Sequence, residues 1–354
     1  MKTITRIDQI FLITRGIKKM VKMSDVAKLA EVSNATVSRV LSSPENVREE
    51  TRKRVLESIK ELNYQPNTIA RSFRKMETKS ILVIVPDVTN QFFSEVLRGI
   101  EQKAGENGYQ VLLGNSNNDV EKEYDFLNQL RQRQADGMIL LTARMKQEVI
   151  EEFSEDFPVV LACEYKEGSS IPTVSIDNIS GARKATEHLI NLGHKRIAHL
   201  SGPMEVILSR DRLKGYHQAM LRNELETDSV LVQEGDYSYE AGYNLMNKLC
   251  ALEEPPTAVF AANDEMAIGA IKAAKENFFR VPEDIAVVGF DDIKISSIFE
   301  PSLTTVSQPK LEIGEKAMEL LLKQMNFEEL NRKQIVLEDK LILRQSCGFN
   351  KKKK

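Results

Sequence analysis

Tryptophan is missing from this chain, and it has only three cysteines and four histidines. No apolar run approaches the roughly 18 residues or more that a membrane-spanning helix needs, so a membrane partner is not expected. Cys163, Cys250 and Cys347 lie far apart and are odd in number. That spacing suggests neither a disulfide framework nor a zinc site, and it suits a reducing cytoplasm. His188, His194, His199 and His217 form no metal-ligand pattern, so packing or surface roles are expected and no metal. No two glycines are spaced G-x-G, and neither a P-loop nor G-x-S-x-G occurs. A dinucleotide cofactor, a phosphate-cradling NTPase loop and a nucleophile elbow are thereby excluded. No cofactor and no catalytic constellation are expected. The opening "MKTITRIDQIFLITRGIKKM" carries a short apolar patch, Ile10 to Ile13, without the h-region and cleavage site of a signal peptide. Residues 1–21 read as a disordered extension, and 349–354 as a basic tail.

What is present is organised by charge. The formal net charge of −3 over 354 residues hides a strong asymmetry. Residues 1–79 carry 17 Lys and Arg against 9 Asp and Glu, and the remainder carries 32 against 43. A basic head on an acidic body suggests a nucleic-acid-binding module attached to something else. At this length, two or three domains are expected.

The head, residues 22–66, reads as three short helices. In "SDVAKLAE", Ser24 is a natural N-cap, and Val26, Leu29 and Ala30 share a face. Ser33 caps the second helix, which turns Val37, Val40 and Leu41 inward and Asn34, Ala35, Ser38 and Arg39 outward, with Thr36 at the edge of the buried side. The third places Val55, Leu56, Ile59 and Leu62 on one stripe. The turn of three residues, Glu31 to Ser33, makes the first two a helix-turn-helix. Asn and Arg pair with adenine and guanine edges, Ala touches a thymine methyl, and Ser and Thr at a helix start suit phosphate. After "NYQP", the stretch 67–79 reads as a basic hinge helix and linker. Asn67 would cap it, Arg71, Arg74 and Lys75 supply charge, and Ile69 with Phe73 suit a minor-groove wedge.

From Ile81 the pattern changes. "ILVIVP" is a β-rich run of the kind buried on both faces, and strand–helix alternation follows for more than 200 residues. Each of "YQVLLGN", "GMILL", "RIAHLSG", "SVLVQEG", "TAVFAAN" and "IAVVGFD" reads as a strand. The expected architecture is an all-α helix-turn-helix head plus an α/β body of two doubly wound lobes. The N-lobe is expected at about 80–177 and 309–338, and the C-lobe at about 178–306 and 339–348. Open parallel sheets bind ligands at their carboxyl edges. The candidates there are Asp87, Asn90, Phe92, Phe93, Glu164, Arg212, Tyr237, Asn263 and Asp291. Carboxylates, amides, an arginine and aromatic rings together suit a polyol. Each alone reads equally well as an ordinary helix cap or core side chain.

The stretches "DVAKLAEVSNATVSRVL", "TRKRVLESIKELNYQPNTIARSF", "PDVTNQFFSEVLRGIE", "LGHKRIAHLSGP", "RLKGY", "PPTAVFAANDEMAIGA", "VPEDIAVVGFDD" and "PSLTTVSQP" together carry a resemblance. Over residues 22–348 the chain resembles the LacI/GalR family of bacterial transcription regulators. The resemblance implies a homodimer on a palindromic double-stranded DNA operator. Recognition contacts would fall on Ser33, Asn34, Ala35 and Arg39, and a hinge helix at about 67–75 would use Asn67, Ala70, Arg71, Phe73 and Arg74. It implies a body like a periplasmic sugar-binding protein, with a sugar or nucleoside effector against Phe92, Phe93, Arg212, Tyr237, Asn263 and Asp291. The alternative is a solute receptor without a regulatory role. Three departures from the family pattern matter. Glu31 stands where the turn usually has glycine, so an adjusted turn is expected. Phe73 replaces the usual leucine wedge. Val206, Ile207 and Leu208 are apolar where purine-responsive members carry polar contacts, which disfavours a purine. With no tetramerisation helix before "KKKK", a dimer is expected.

Overall fold

The computed structural model describes residues 21–64, 77–330 and 332–349. The sequence-based expectations for the N-terminal extension and for hinge residues Asn67, Ala70, Arg71, Phe73 and Arg74 lie outside them. The chain divides into two compact units at residues 76 and 77.

The described residues of the first unit form three helices, Met23–Leu29, Asn34–Ser42 and Glu49–Glu61, with a 3-10 turn at Pro44–Asn46. Ser33 caps the second helix as expected: its Oγ accepts from the Thr36 N–H at 3.1 Å. Ser24 does not cap the first. The cap position is Lys22, whose N–H donates to Asp25 Oδ2 at 2.9 Å, so the helix starts earlier and Ser24 lies inside its first turn. The small core is Val26, Ala27, Ala30, Val37, Val40, Val55 and Tyr64. Leu29 and Leu56, expected inside, stay 42% and 49% exposed. Ala27 and the returning Tyr64 are buried in that core instead, with Ser58 also buried.

The turn is not adjusted around Glu31. It keeps the left-handed conformation at φ 52°. The Glu31 N–H donates to the Lys28 carbonyl and Val32 to Ala27, the paired bonds of a Schellman cap. A non-glycine residue there costs about 1 kcal/mol. Glu31→Gly is therefore expected to stabilise the three-helix unit by up to about 1 kcal/mol, read as a higher urea midpoint at unchanged slope. An unchanged or lower midpoint would show that the Glu31 side chain compensates for its backbone.

The second unit holds two six-stranded sheets. The first runs β11-β5-β4-β3-β1-β2, with β1 Ser80–Val85, β2 Gln110–Asn115, β3 Gly137–Leu140, β4 Val159–Ala162, β5 Thr173–Ile176 and β11 Gln334–Leu337. The second runs β12-β10-β9-β8-β6-β7, with β6 Ile197–Ser201, β7 Val232–Glu234, β8 Ala258–Ala261, β9 Ala286–Asp291, β10 Thr304–Ser307 and β12 Lys340–Ile342. All pairings are parallel except β10 with β12. The chain passes between sheets after β5, after β10 and between β11 and β12. β1, β3, β4, β6, β8 and β9 are buried throughout, because helices cover both faces. "SVLVQEG" forms a shorter strand than expected. Asp228 caps a 3-10 turn at Ser229–Leu231, leaving only Val232–Glu234 extended.

Each lobe is held by close helix crossings at glycines. A Cβ on Gly99 would strike the Leu311 carbonyl, and one on Gly314 the Val96 carbonyl. In the other lobe, Gly242 and Gly269 stand in the same way against Met266 and Tyr239. These crossings set the distance between the paired helices.

Candidate functional site

Two surfaces carry the candidate residues. In the three-helix unit, Ser33, Asn34, Ala35 and Arg39 are exposed, while Thr36 and Ser38 are half-buried. The Ser33 and Thr36 hydroxyls bond each other at 2.9 Å, so both serve the cap as well as facing outward. Val37 and Val40 anchor the opposite side. The helix thus shows short polar side chains and one long cation, which allows close approach to a groove floor.

The second surface is a cleft of about 210 Å³ between the two sheets of the body. All nine residues singled out from the sequence line it. Asp87 follows β1, Asn90, Phe92 and Phe93 open the next helix, and Glu164 follows β4. From the other lobe come Arg212, Tyr237, Asn263 and Asp291.

Several of these residues also build the site. Asn90 caps helix Gln91–Glu106 by accepting from Phe92 N–H. Asn263 caps helix Asp264–Glu276, and its amide donates to the Tyr237 carbonyl at 2.8 Å. That bond holds Tyr237 at a left-handed φ of 70°. The Tyr237 hydroxyl meets Ser209 Oγ at 2.7 Å, and its ring lies over Gly202, where a Cβ would collide with it. Phe92 is buried in the core and meets Phe93 edge-on at 5.2 Å, so Phe93 is the more available ring.

Arg212 is the most engaged side chain. It is buried on helix Ile207–Arg222. Its Nε donates to Asn178 Oδ1 at 3.0 Å and its Nη1 to the Ala262 carbonyl. The guanidinium lies 3.9 Å from the Phe290 ring centroid and 3.8 Å from Asp291 Oδ1. Asp291 also accepts from Gln308 Nε2 at 2.7 Å. Burial pushes the Asp291 carboxyl up in pKa, against the pull of Arg212, Gln308 and Lys310. Behind it, fully buried Asp264 accepts from Ile293 N–H, Ser296 and Thr305. Burial first, then the Asp291 charge, pushes Asp264 up to about 7.

Sequence reasoning missed part of the lining, notably Asn118, Thr142, Arg144, Asp236, Glu265 and Gln308. Thr142 and Arg144 come directly after β3, and Gln308 after β10, so the strand-end rule could have found them. Arg144 donates to Glu164 Oε1 at 2.9 Å, and buried Glu123 accepts the backbone N–H groups of Arg144 and Met145. Tyr165, beside the cleft, donates to Asp211 at 2.8 Å, a hydrogen bond from one lobe to the other.

Among the described residues, no group of three or more His, Cys, Asp and Glu could hold a metal ion. Nor is any of their helices long and apolar enough to cross a membrane. His199 is buried with its ring between those of Tyr216 and Phe260, and burial pushes it down to about 3, a packing role.

Residues 22–67 match the model of bacterial regulatory proteins of the lacI family, and residues 186–347 match that of the periplasmic binding protein-like domain. The HTH-type transcriptional repressor CytR of Escherichia coli strain K12 is 42% identical over 325 residues, spanning 92% of this chain and 95% of that protein. Catabolite control protein A of Priestia megaterium is 40% identical over 328 residues, spanning 92% and 99%. The solved structure of the Lac repressor dimer bound to operator and the anti-inducer ONPF superposes with a TM-score of 0.85 at 29% identity. It covers 93% of this chain and 99% of that one.

Proposed function

Because the chain belongs to the LacI family of bacterial regulatory proteins, we propose that it is a repressor that binds a palindromic operator as a homodimer under the control of a small molecule in the interlobe cleft. The coarser statement, a DNA-binding transcriptional regulator, follows from the family itself. One observation carries the finer reading: a single chain joins an exposed recognition helix on a basic unit to a two-lobed body whose strand ends converge on one polar cleft.

In this reading Asn34, Ala35, Ser38 and Arg39 contact base edges and phosphates. The ligand sits between Phe93, Tyr237 and the polar groups around Arg212 and Asp291, and is of the sugar or nucleoside class. Val206 and Leu208 on the cleft wall leave few polar partners for a purine ring. Ligand binding biases the lobes toward one arrangement, and the dimer's operator affinity changes with it. A roughly 100-fold change corresponds to about 2.7 kcal/mol of coupling. Support for a dimer comes from β2, an edge strand whose Leu112 and Leu113 are exposed and unpartnered in a single chain.

Arg39→Ala is expected to weaken operator binding by about 1–3 kcal/mol and to relax preference at one base pair per half-site. Gel-shift titration against a library of operators randomised one position at a time reads both. Unchanged affinity and preference would remove this helix from the DNA.

A further inference from the structure

Acid dominates the cleft lining. Asp87, Glu164, Asp236, Glu265 and Asp291 face it, against two cations, Arg144 and Arg212. Both cations are already committed. Arg144 pairs with buried Glu164 and also donates to Asn118. Arg212 is held by Asn178, the Ala262 carbonyl, Asp291 and the Phe290 face. Thr142 adds an independent sign of a ligand: its side chain is more than nine-tenths buried, lines the cleft, and its hydroxyl has no partner among the described residues. A buried hydroxyl without a partner is costly, and such groups in native proteins are usually satisfied by something bound.

We infer that the cleft takes an unphosphorylated, neutral or cationic small molecule whose donors meet these carboxylates and whose polar edge bonds Thr142. The inference rests on the reading of the cleft as the effector site and narrows it. A phosphate group would compete for Arg144 or Arg212 with the carboxylate each already faces, Glu164 or Asp291, and weaken that buried pairing. It would also stand among the remaining carboxylates. Hydroxyl, amide N–H and amine groups meet the opposite situation. The Glu265 carboxylate makes no hydrogen bond or ion pair among the described residues. Asp87, from the other lobe, is among the charges that act on it across the cleft. Burial and the charges of Asp291, Asp87 and Glu240 push Glu265 up to about 6, the mark of a carboxylate short of donors. A donor or cation placed between Asp87 and Glu265 relieves that repulsion and favours the closed lobes. The volume of about 210 Å³ lies below the ~300–1,000 Å³ of sites for drug-sized ligands, so one or two small rings fit.

The test is calorimetric titration of the full-length protein with matched pairs: hexoses and their 6-phosphates, nucleosides and their 5′-monophosphates, and hexosamines beside the parent hexoses. At least one unphosphorylated member is expected to bind, and its phosphorylated counterpart at least about 100-fold more weakly. Thr142→Val, equal in shape, is expected to keep the melting temperature and to lose roughly tenfold in affinity for that ligand. Glu164→Gln, which releases Arg144, is expected to narrow the penalty on the phosphorylated member. A phosphorylated member binding as tightly as its parent overturns the inference and leaves the effector reading standing. Full affinity in Thr142→Val overturns the hydroxyl contact. If no member of any series binds, the cleft is not the site of such a ligand, and the effector reading falls with the inference.

Discussion

Arg212→Ala is expected to abolish ligand binding and to destabilise the body by about 3–5 kcal/mol, a large share of a typical domain's stability. The reason is what the guanidinium leaves behind. Asn178 Oδ1 and the Ala262 carbonyl lose a buried donor. Asp291 stays buried at its left-handed φ of 114°, its carboxylate left with Gln308 as its one hydrogen-bond donor among the described residues. The loss exceeds that of an exposed ion pair, because Arg212 is only 4% exposed and solvent cannot replace it. Arg212→Lys keeps the charge but cannot reach Asn178, Ala262 and the Phe290 face together, so it is expected to recover less than half of the loss. Urea unfolding and ligand titration of the three proteins read both effects. Normal stability with normal binding in Arg212→Ala would remove this residue from the centre of the site.

Removing residues 1–76 is expected to eliminate operator binding while leaving ligand binding and the body's melting temperature nearly unchanged. The cut falls at the boundary between the two compact units. What remains is strongly acidic, so its long-range field repels DNA. The specific margin over non-specific binding, about 4–10 kcal/mol for such regulators, should vanish, and with it the steep dependence on salt. Gel shifts at two salt concentrations and thermal shifts with the same ligands check this. Specific operator binding by the truncated protein would place the DNA contact in the body.

Much of the site could be read from the sequence because it follows a local rule. Asp87, Glu164, Asn263 and Asp291 stand just past β-rich runs, and parallel strands send those ends to one edge. Ser33 was legible as a cap for a similar reason, since its partner, the Thr36 N–H, is three residues away. Ser24 misled because Asp25 can reach back to Lys22, and a two-residue shift in helix start is invisible to periodicity. Leu29 and Leu56 misled because helical spacing says which residues share a face. It does not say that three short helices have only enough core for one row of each. The Glu31 turn was legible as a left-handed position, but not that the chain would keep it with a glutamate.

The order of strands and helices, the segregation of basic and acidic halves, and the chemistry available at each strand end were settled by sequence alone. These are periodicities and compositions, carried by residues within one turn or one strand of each other. Only the folded body decided which of those groups meet. Arg144 neutralises Glu164, Asn263 spends its amide on Tyr237, and Thr142 is left buried without a partner. Such pairings join residues far apart in the chain. They depend on the crossovers between the sheets and on the glycine contacts that set helix distance, which no local pattern encodes.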